Sequence, residues 1–256
     1  MPAPRIFPVN LLLLLLLVVS GNVLASAEVL GERGAFRIKF RAAELFSEQQ
    51  ASQWKDFISM DTEMTWEVFV PDSYDPEKPA GVLTYVSPTR SGLLPEPWKP
   101  VLAERNLIWI SGNKTGNFTG VQHRSIFAIL GTELIRNSYT VDDSRLYITG
   151  FSGGGRMASI LIHRYHQLYK GALYLCGVNH WEDLPKSDVD AMLQRQHVFL
   201  TGSKDFNLRD TVDVSRLYKE RAQKNFPVMV IDGMSHRLPD PPEMATALDY
   251  LDSLQN

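Results

Sequence analysis

Leu146-Tyr147-Ile148-Thr149-Gly150-Phe151-Ser152-Gly153-Gly154-Gly155 passes from an apolar run, through glycines set around one serine, into a stretch of helical length. Within it, Gly150-Phe151-Ser152-Gly153-Gly154 fits the pattern G-x-S-x-G and stands between a strand and a helix, the setting that pattern requires. The requirement is physical. A serine on a sharp, strained turn projects its oxygen above the edge of a sheet, and flanking glycines let neighbouring backbone approach with no Cβ in the way. Ser152 is therefore the candidate nucleophile, and the bland alternative is a glycine-rich turn that only packs a helix on a sheet.

On both sides of this turn the chain alternates between two patterns. Short runs rich in branched and aromatic residues occupy 65–70, 82–86, 107–111, 146–150, 172–178, 197–202 and 228–232. Residues 122–137, 153–169, 211–225 and 242–254 have helical length, and in the last Met244, Ala247, Leu248, Leu251 and Leu254 share one face. Such alternation predicts an α/β protein with a mostly parallel sheet and helices on both faces. Sites in these sheets form at the carboxyl ends of the strands. Residues 88–100 and 177–195 are longer than a strand–helix connection needs and are candidate rims.

A serine hydroxyl is a weak nucleophile, so Ser152 needs a base and a group to orient that base. In this kind of fold the acid follows the serine and the histidine comes last. Of six histidines, His236 alone follows the final strand, in Asp232-Gly233-Met234-Ser235-His236, and is the candidate base. Asp205, in Gly202-Ser203-Lys204-Asp205, falls just past a strand end and is the candidate acid. Asp210 is its rival, although its place near a helix start suits a simple cap. His163 and His166 have a spacing that can hold a metal but lack a matching carboxylate, so no metal is expected. His197 opens a strand and reads as a surface residue, and His123 stands at a helix start. His180 and Trp181, with Phe151, are candidates for substrate contact.

The oxyanion of a tetrahedral intermediate needs donors. The Gly153 N–H, just after the nucleophile, supplies the first. The second is expected from Ser87-Pro88-Thr89-Arg90-Ser91-Gly92 after the strand at 82–86. Pro88 has no N–H, which makes Thr89 the candidate, with Arg90 next.

Composition fits this picture. The 256 residues carry 26 Lys plus Arg and 29 Asp plus Glu, a net charge of −3 that gives no reason to expect a nucleic-acid partner. With 44% hydrophobic and 21% charged residues, the chain can bury an ordinary core. Cys176 is the only cysteine, which excludes an intrachain disulfide and a cysteine-rich zinc site. At the start, Arg5 precedes the apolar run 11–19 and the small residues Ala25-Ser26-Ala27, the layout of a signal peptide over 1–27. Residues 28–256 are then a single domain, exported to the periplasm or beyond. The mature chain has no apolar stretch of the about 20 residues that a membrane span needs. Asn113-Lys114-Thr115 and Asn117-Phe118-Thr119 have the form of glycan acceptors but read as parts of a Gly/Asn/Thr-rich loop.

Residues 142–154, Gly202-Ser203-Lys204-Asp205 and Gly233-Met234-Ser235-His236 together resemble the α/β-hydrolase superfamily. The resemblance covers 65–254 and points to the exported poly(3-hydroxybutyrate) depolymerase-like and feruloyl-esterase-like carboxylesterases. It implies a mostly parallel central sheet of about eight strands, with Ser152, Asp205 and His236 as nucleophile, acid and base. Members of that branch usually carry His-Gly where this chain has Ser87-Pro88, which weakens the inference for the second oxyanion donor. The segment 177–195 is too short for a lid domain. The expectation is an exported serine hydrolase that cleaves small-molecule esters of small or medium acyl groups without a cofactor. A peptidase or amidase on the same scaffold, and a non-catalytic binding protein, are the alternatives.

Overall fold

The computed structural model describes residues 31–46, 51–52, 54–180 and 184–253. The expected signal peptide at 1–27, Trp181 and Leu254 lie outside the described residues. Eight strands form one sheet: β1 (Gly34–Arg41), β2 (Glu63–Val70), β3 (Ala80–Val86), β4 (Leu107–Gly112), β5 (Val141–Phe151), β6 (Gly171–Leu175), β7 (Gln196–Gly202) and β8 (Val228–Ile231), in the order β1-β2-β4-β3-β5-β6-β7-β8. The β1·β2 and β2·β4 pairs are antiparallel and all the others parallel. The sheet is thus mixed, with an antiparallel edge on a parallel body. The expectation of a mostly parallel sheet missed β1, although Phe36, Ile38 and Phe40 alternate there with Arg37, Lys39 and Arg41 in a period-two pattern.

The longer described helices connect these strands, except the last, which follows β8. They are α1 (Lys99–Glu104), α2 (Val121–Ser138), α3 (Gly153–Arg164), α4 (Lys186–Leu193), α5 (Leu208–Ala222) and α6 (Pro241–Asp252). Strand side chains alternate between two cores. Ile108, Ile110, Leu146 and Ile148 meet Ile126, Leu134, Met157, Leu161 and Tyr218 of α2, α3 and α5 on one face. Leu107, Trp109 and Tyr147 meet Val101, Leu102, Met244 and Leu248 of α1 and α6 on the other. The inner parallel strands are therefore covered on both sides, as such sheets require, while β8 at the edge leaves Val228 and Val230 exposed.

That coverage corrects one reading. His197 is buried rather than on the surface, because β7 lies inside the sheet under helices. Its ring bonds the Tyr174 hydroxyl through Nδ1 (2.9 Å) and the Met192 carbonyl through Nε2 (3.0 Å). His163 and His166 are also buried. His163 Nε2 lies 2.6 Å from the Tyr218 hydroxyl, and His166 Nδ1 3.4 Å from the His163 carbonyl. They pack as core histidines. His123 lies in the first turn of α2 with its ring stacked on Phe127.

The carboxyl ends of β3, β4, β5, β6, β7 and β8 open on one edge of the sheet. Ser152, Gly153, Thr89, Asp205 and His236 each follow one of these ends, and Phe151 is the last residue of β5.

Candidate active site

Ser152 is the residue between β5 and α3. Its backbone has φ 56° and ψ −119°, a conformation side-chain-bearing residues rarely adopt. The Ser152 N–H is held by the Leu175 carbonyl (2.8 Å), and its own carbonyl accepts from Arg156 N–H (3.1 Å). Glycine is required around it by close packing. A Cβ on Gly154 would collide with the Val86 carbonyl at the end of β3, so the first turn of α3 sits directly on that strand. The strained turn therefore rests on contacts from β3 and β6, and it raises the serine at the head of a helix.

Asp205 follows β7 and its side chain is fully buried. His236 Nδ1 donates to Asp205 Oδ1 at 2.9 Å. This bond places the proton on Nδ1 and leaves the Nε2 lone pair free to accept. Asn207 N–H donates to the same Oδ1 (2.8 Å), and the Thr201 hydroxyl donates to Oδ2 (3.2 Å). Burial alone would raise the Asp205 pKa, but hydrogen bonds from Cys176, Asn207 and His236 hold it below the ordinary carboxylate value. It stays ionised and can stabilise an imidazolium. Asp210 is instead in the first turn of α5, 3.4 Å from Arg156, so the structure brings Asp205 and not Asp210 to His236.

The two loops that carry Asp205 and His236 are zipped together. Ser203 N–H donates to the Ile231 carbonyl (2.9 Å), Lys204 N–H to the Met234 carbonyl (2.9 Å), and Gly233 N–H to the Ser203 hydroxyl (2.8 Å). Beyond His236, Arg237 pairs with Glu243 on α6, and Trp98 Nε1 holds the Pro239 carbonyl (3.0 Å). The imidazole also meets two phenyl rings, Phe151 at 4.7 Å and Phe206 at 4.1 Å between centroids. Phe151 is the residue before the serine, so this contact joins the base to the nucleophile's turn. The Ser152 hydroxyl makes no hydrogen bond among the described residues, and bonds of this type often tighten only when substrate binds.

Cys176, Asp205 and His236 place one sulfur, oxygen or nitrogen each within 4.8 Å of one another, a set that could in principle ligate a metal. The chemistry of the set opposes this. Burial first, and then the nearby Asp205 carboxylate, push the Cys176 thiol pKa up, so the sulfur stays protonated, with its S–H directed at the Arg237 carbonyl (3.5 Å), rather than acting as a thiolate.

The oxyanion candidates divide. Gly153 is the first residue of α3, where an N–H has no acceptor within the helix. Thr89 N–H, by contrast, donates to the Ser87 hydroxyl (3.1 Å). The turn at Ser87-Pro88-Thr89 thus uses up the donor assigned to the oxyanion, and Thr89 is corrected on that ground. Arg90 is exposed, with its carbonyl accepting from Lys114 N–H (2.7 Å). Of the candidates for substrate contact, Phe151 borders the site and Trp181 lies outside the described residues. His180 is exposed, near enough to His163 to act on it electrostatically. Neither Asn207 nor Phe206 was legible as part of the site, since both are ordinary loop residues in sequence. Asn113, in the first of the two triplets, is buried, with its carboxamide bound to Gly92 N–H (3.0 Å) and Glu67 (2.8 Å).

Residues 128–256 match the model of the prolyl oligopeptidase family, Peptidase_S9. No curated protein matches the sequence. Among solved structures, a ferulic acid esterase shares 16% identity at a TM-score of 0.60, over 84% of this chain and 95% of that one. The feruloyl esterase module from Clostridium thermocellum shares 12% at 0.58, over 87% and 89%. A protein from Bacteroides ovatus, assigned as a dipeptidyl aminopeptidase IV, shares 16% at 0.58 over 86% of this chain, which spans only 36% of that structure's length. At these identities the likeness is one of fold. Among the described residues, no helix is long and apolar enough to cross a membrane.

Proposed function

This chain belongs to the prolyl oligopeptidase family of serine hydrolases and has the α/β-hydrolase fold, and from that premise we propose that it is an exported carboxylesterase working through an acyl-enzyme. The observation that carries the reading is the 2.9 Å bond from His236 to a buried, ionised Asp205, at the strand edge where Ser152 is raised on its strained turn. Ser152 Oγ bonds to the acyl carbon as its proton passes to His236 Nε2, and the carbonyl electron pair moves onto oxygen. Gly153 N–H donates to that oxygen. When the pair returns, the C–O bond of the ester breaks and the alkoxide leaves with the proton from His236. A water, activated by the same imidazole, then releases the acid and restores Ser152.

Esters of small or medium acyl groups are the substrates in this reading. The exposed Phe206 ring beside His236 offers an apolar rim, and the ferulic acid esterase is a fold relative of nearly the same extent. The finer placing among depolymerase-like and feruloyl-esterase-like enzymes is part of the same proposal. So are the absence of a lid domain, with α4 the only helix among the described residues of the β6–β7 connection, and export directed by residues 1–27. A second reading, hydrolysis of peptides or amides, is favoured by the family match itself.

A fluorophosphonate probe applied to wild type, Ser152→Ala and His236→Ala tests the nucleophile. An adduct on wild type alone supports the reading, and labelling of folded Ser152→Ala to the wild-type extent refutes it. Turnover of p-nitrophenyl butyrate against a dipeptidyl p-nitroanilide then separates ester from amide: faster anilide cleavage transfers the proposal to the second reading. Amino-terminal sequencing of the protein exported by its native host is expected to start at Glu28.

A further inference from the structure

The loop 113–119, which follows β4, reaches across the end of β3 to the turn that bears Ser152. Lys114 N–H donates to the Arg90 carbonyl (2.7 Å) and Asn117 N–H to the Pro88 carbonyl (3.0 Å). Gly116 lies so close to the Thr89 backbone that a Cβ there would be 2.7 Å from its carbonyl carbon. The Thr115 hydroxyl ties back to the Gly112 carbonyl (2.9 Å), and Thr119 N–H closes the turn on the Gly116 carbonyl (2.9 Å). The backbone of Asn117 is thereby fixed, and its side chain projects onto Gly153. A Cβ added to Gly153 would lie 2.7 Å from Asn117 Cγ and 2.8 Å from Nδ2, with Oδ1 nearer still. The carboxamide occupies the place that a side chain on Gly153 would fill.

Three facts combine at this point. The Gly153 N–H is one donor beside the nucleophile. The β3 loop has no second to offer from its first residues after Ser87, since Pro88 lacks an N–H and the Thr89 N–H is bound to the Ser87 hydroxyl. The Asn117 carboxamide makes no hydrogen bond among the described residues, although it touches the residue after Ser152. A half-turn about its last side-chain torsion exchanges Oδ1 and Nδ2 within the same outline, so a developing anion there draws the amide N–H toward itself.

We propose that Asn117 Nδ2–H is the second oxyanion donor, acting with the Gly153 N–H on the oxygen that becomes negative when Ser152 attacks. The inference rests on the serine-hydrolase reading above. It also accounts for glycine at 153: the position must leave room for the carboxamide as well as for the turn.

The test is the second-order rate at which a fluorophosphonate phosphonylates Ser152, a reaction whose phosphoryl oxygen occupies the same hole as fluoride leaves and the serine proton passes to His236. Wild type, Asn117→Ala and Asn117→Asp are compared, with melting temperatures to show that each is folded. Asn117 is exposed, so both substitutions are compatible with the fold. The expected result is a loss of about 10²- to 10³-fold in Asn117→Ala. A larger loss is expected in Asn117→Asp at neutral pH, partly relieved as the pH falls and the carboxyl gains a proton to donate. Asn117→Ala within threefold of wild type overturns the assignment while leaving Ser152 as nucleophile. Wild type that does not react, or Ser152→Ala that does, overturns the serine-hydrolase reading and this inference with it.

Discussion

The two sides of the site are built differently. On the β7–β8 side, Asp205 and His236 are side chains at strand ends, locked to each other by a 2.9 Å bond and by backbone bonds between their loops. On the β3–β4 side, the Asn117 carboxamide, held by loop-to-loop backbone contacts, covers Gly153, the residue after Ser152. On the proposed mechanism the first side moves a proton and needs particular titratable residues in chain order. The second, on the same proposal, stabilises a charge and needs only donors at the right place, which any residue's backbone or many side chains can provide. Chemistry that demands a residue type leaves a trace in sequence, whereas chemistry that demands only a position does not.

The contrast can be broken by substitution, beginning with the largest effect. On the proposed mechanism Ser152→Ala lowers ester kcat by about 10⁶-fold, and His236→Ala comes close behind, because these residues act as a unit. A steady-state assay in which either variant keeps a tenth of wild-type kcat would remove the catalytic role from that side. Asp205→Asn is expected to cost about 10⁴-fold, since an amide in place of the carboxylate no longer fixes the Nδ1 proton. Its KM should change little, and a loss confined to KM would mean that Asp205 shapes binding instead.

Gly154→Ala tests the other side through stability. The new Cβ meets the Val86 carbonyl, a backbone atom that cannot move aside alone, and the expected penalty is about 3 kcal/mol in denaturant unfolding. An unchanged midpoint would show that α3 can shift off β3 without cost. Phe206→Ala should be the mildest change, a few-fold in kcat from the loss of a ring contact worth about 1 kcal/mol. It sharpens the comparison, because a loss as large as that of Asp205→Asn would make the aromatic rim a part of the proton-transfer side.

Acid should unfold the molecule through residues outside both sides of the site. Burial lowers the pKa of His163, also under the influence of nearby positive groups, and that of His197 to about 3 each, from an ordinary 6.5. Unfolded chains bind these protons below pH 6.5 and the folded chain does not, so stability is complete above that pH and declines as pH falls toward 3. Each ring contributes about 1.4 kcal/mol per pH unit within the window. Asp205, with its lowered pKa, adds in the same direction. Melting temperatures measured at pH 7.5, 5.5 and 4.5 should fall in that order, and a flat profile would mean that the rings accept protons while folded.

Sequence alone determined the alternation of strands and helices, the turn at Ser152, and the pairing of an acid after β7 with a histidine after β8. These are local patterns: hydrophobic period, glycine spacing and order along the chain. It also carried β1 in plain alternation. Only the tertiary structure decided that His197 is buried, since burial depends on which strand lies inside the sheet and not on the residue's own run. The same holds at Cys176, which follows an apolar strand in sequence but in space has its thiol against Asp205. It holds most of all for Thr89 and Asn117. Whether one N–H is free or bound to the next hydroxyl, and which distant loop covers Gly153, are set by how the β3 and β4 ends meet. Such meetings join residues far apart in the chain through backbone groups common to every amino acid, and so no residue pattern records them.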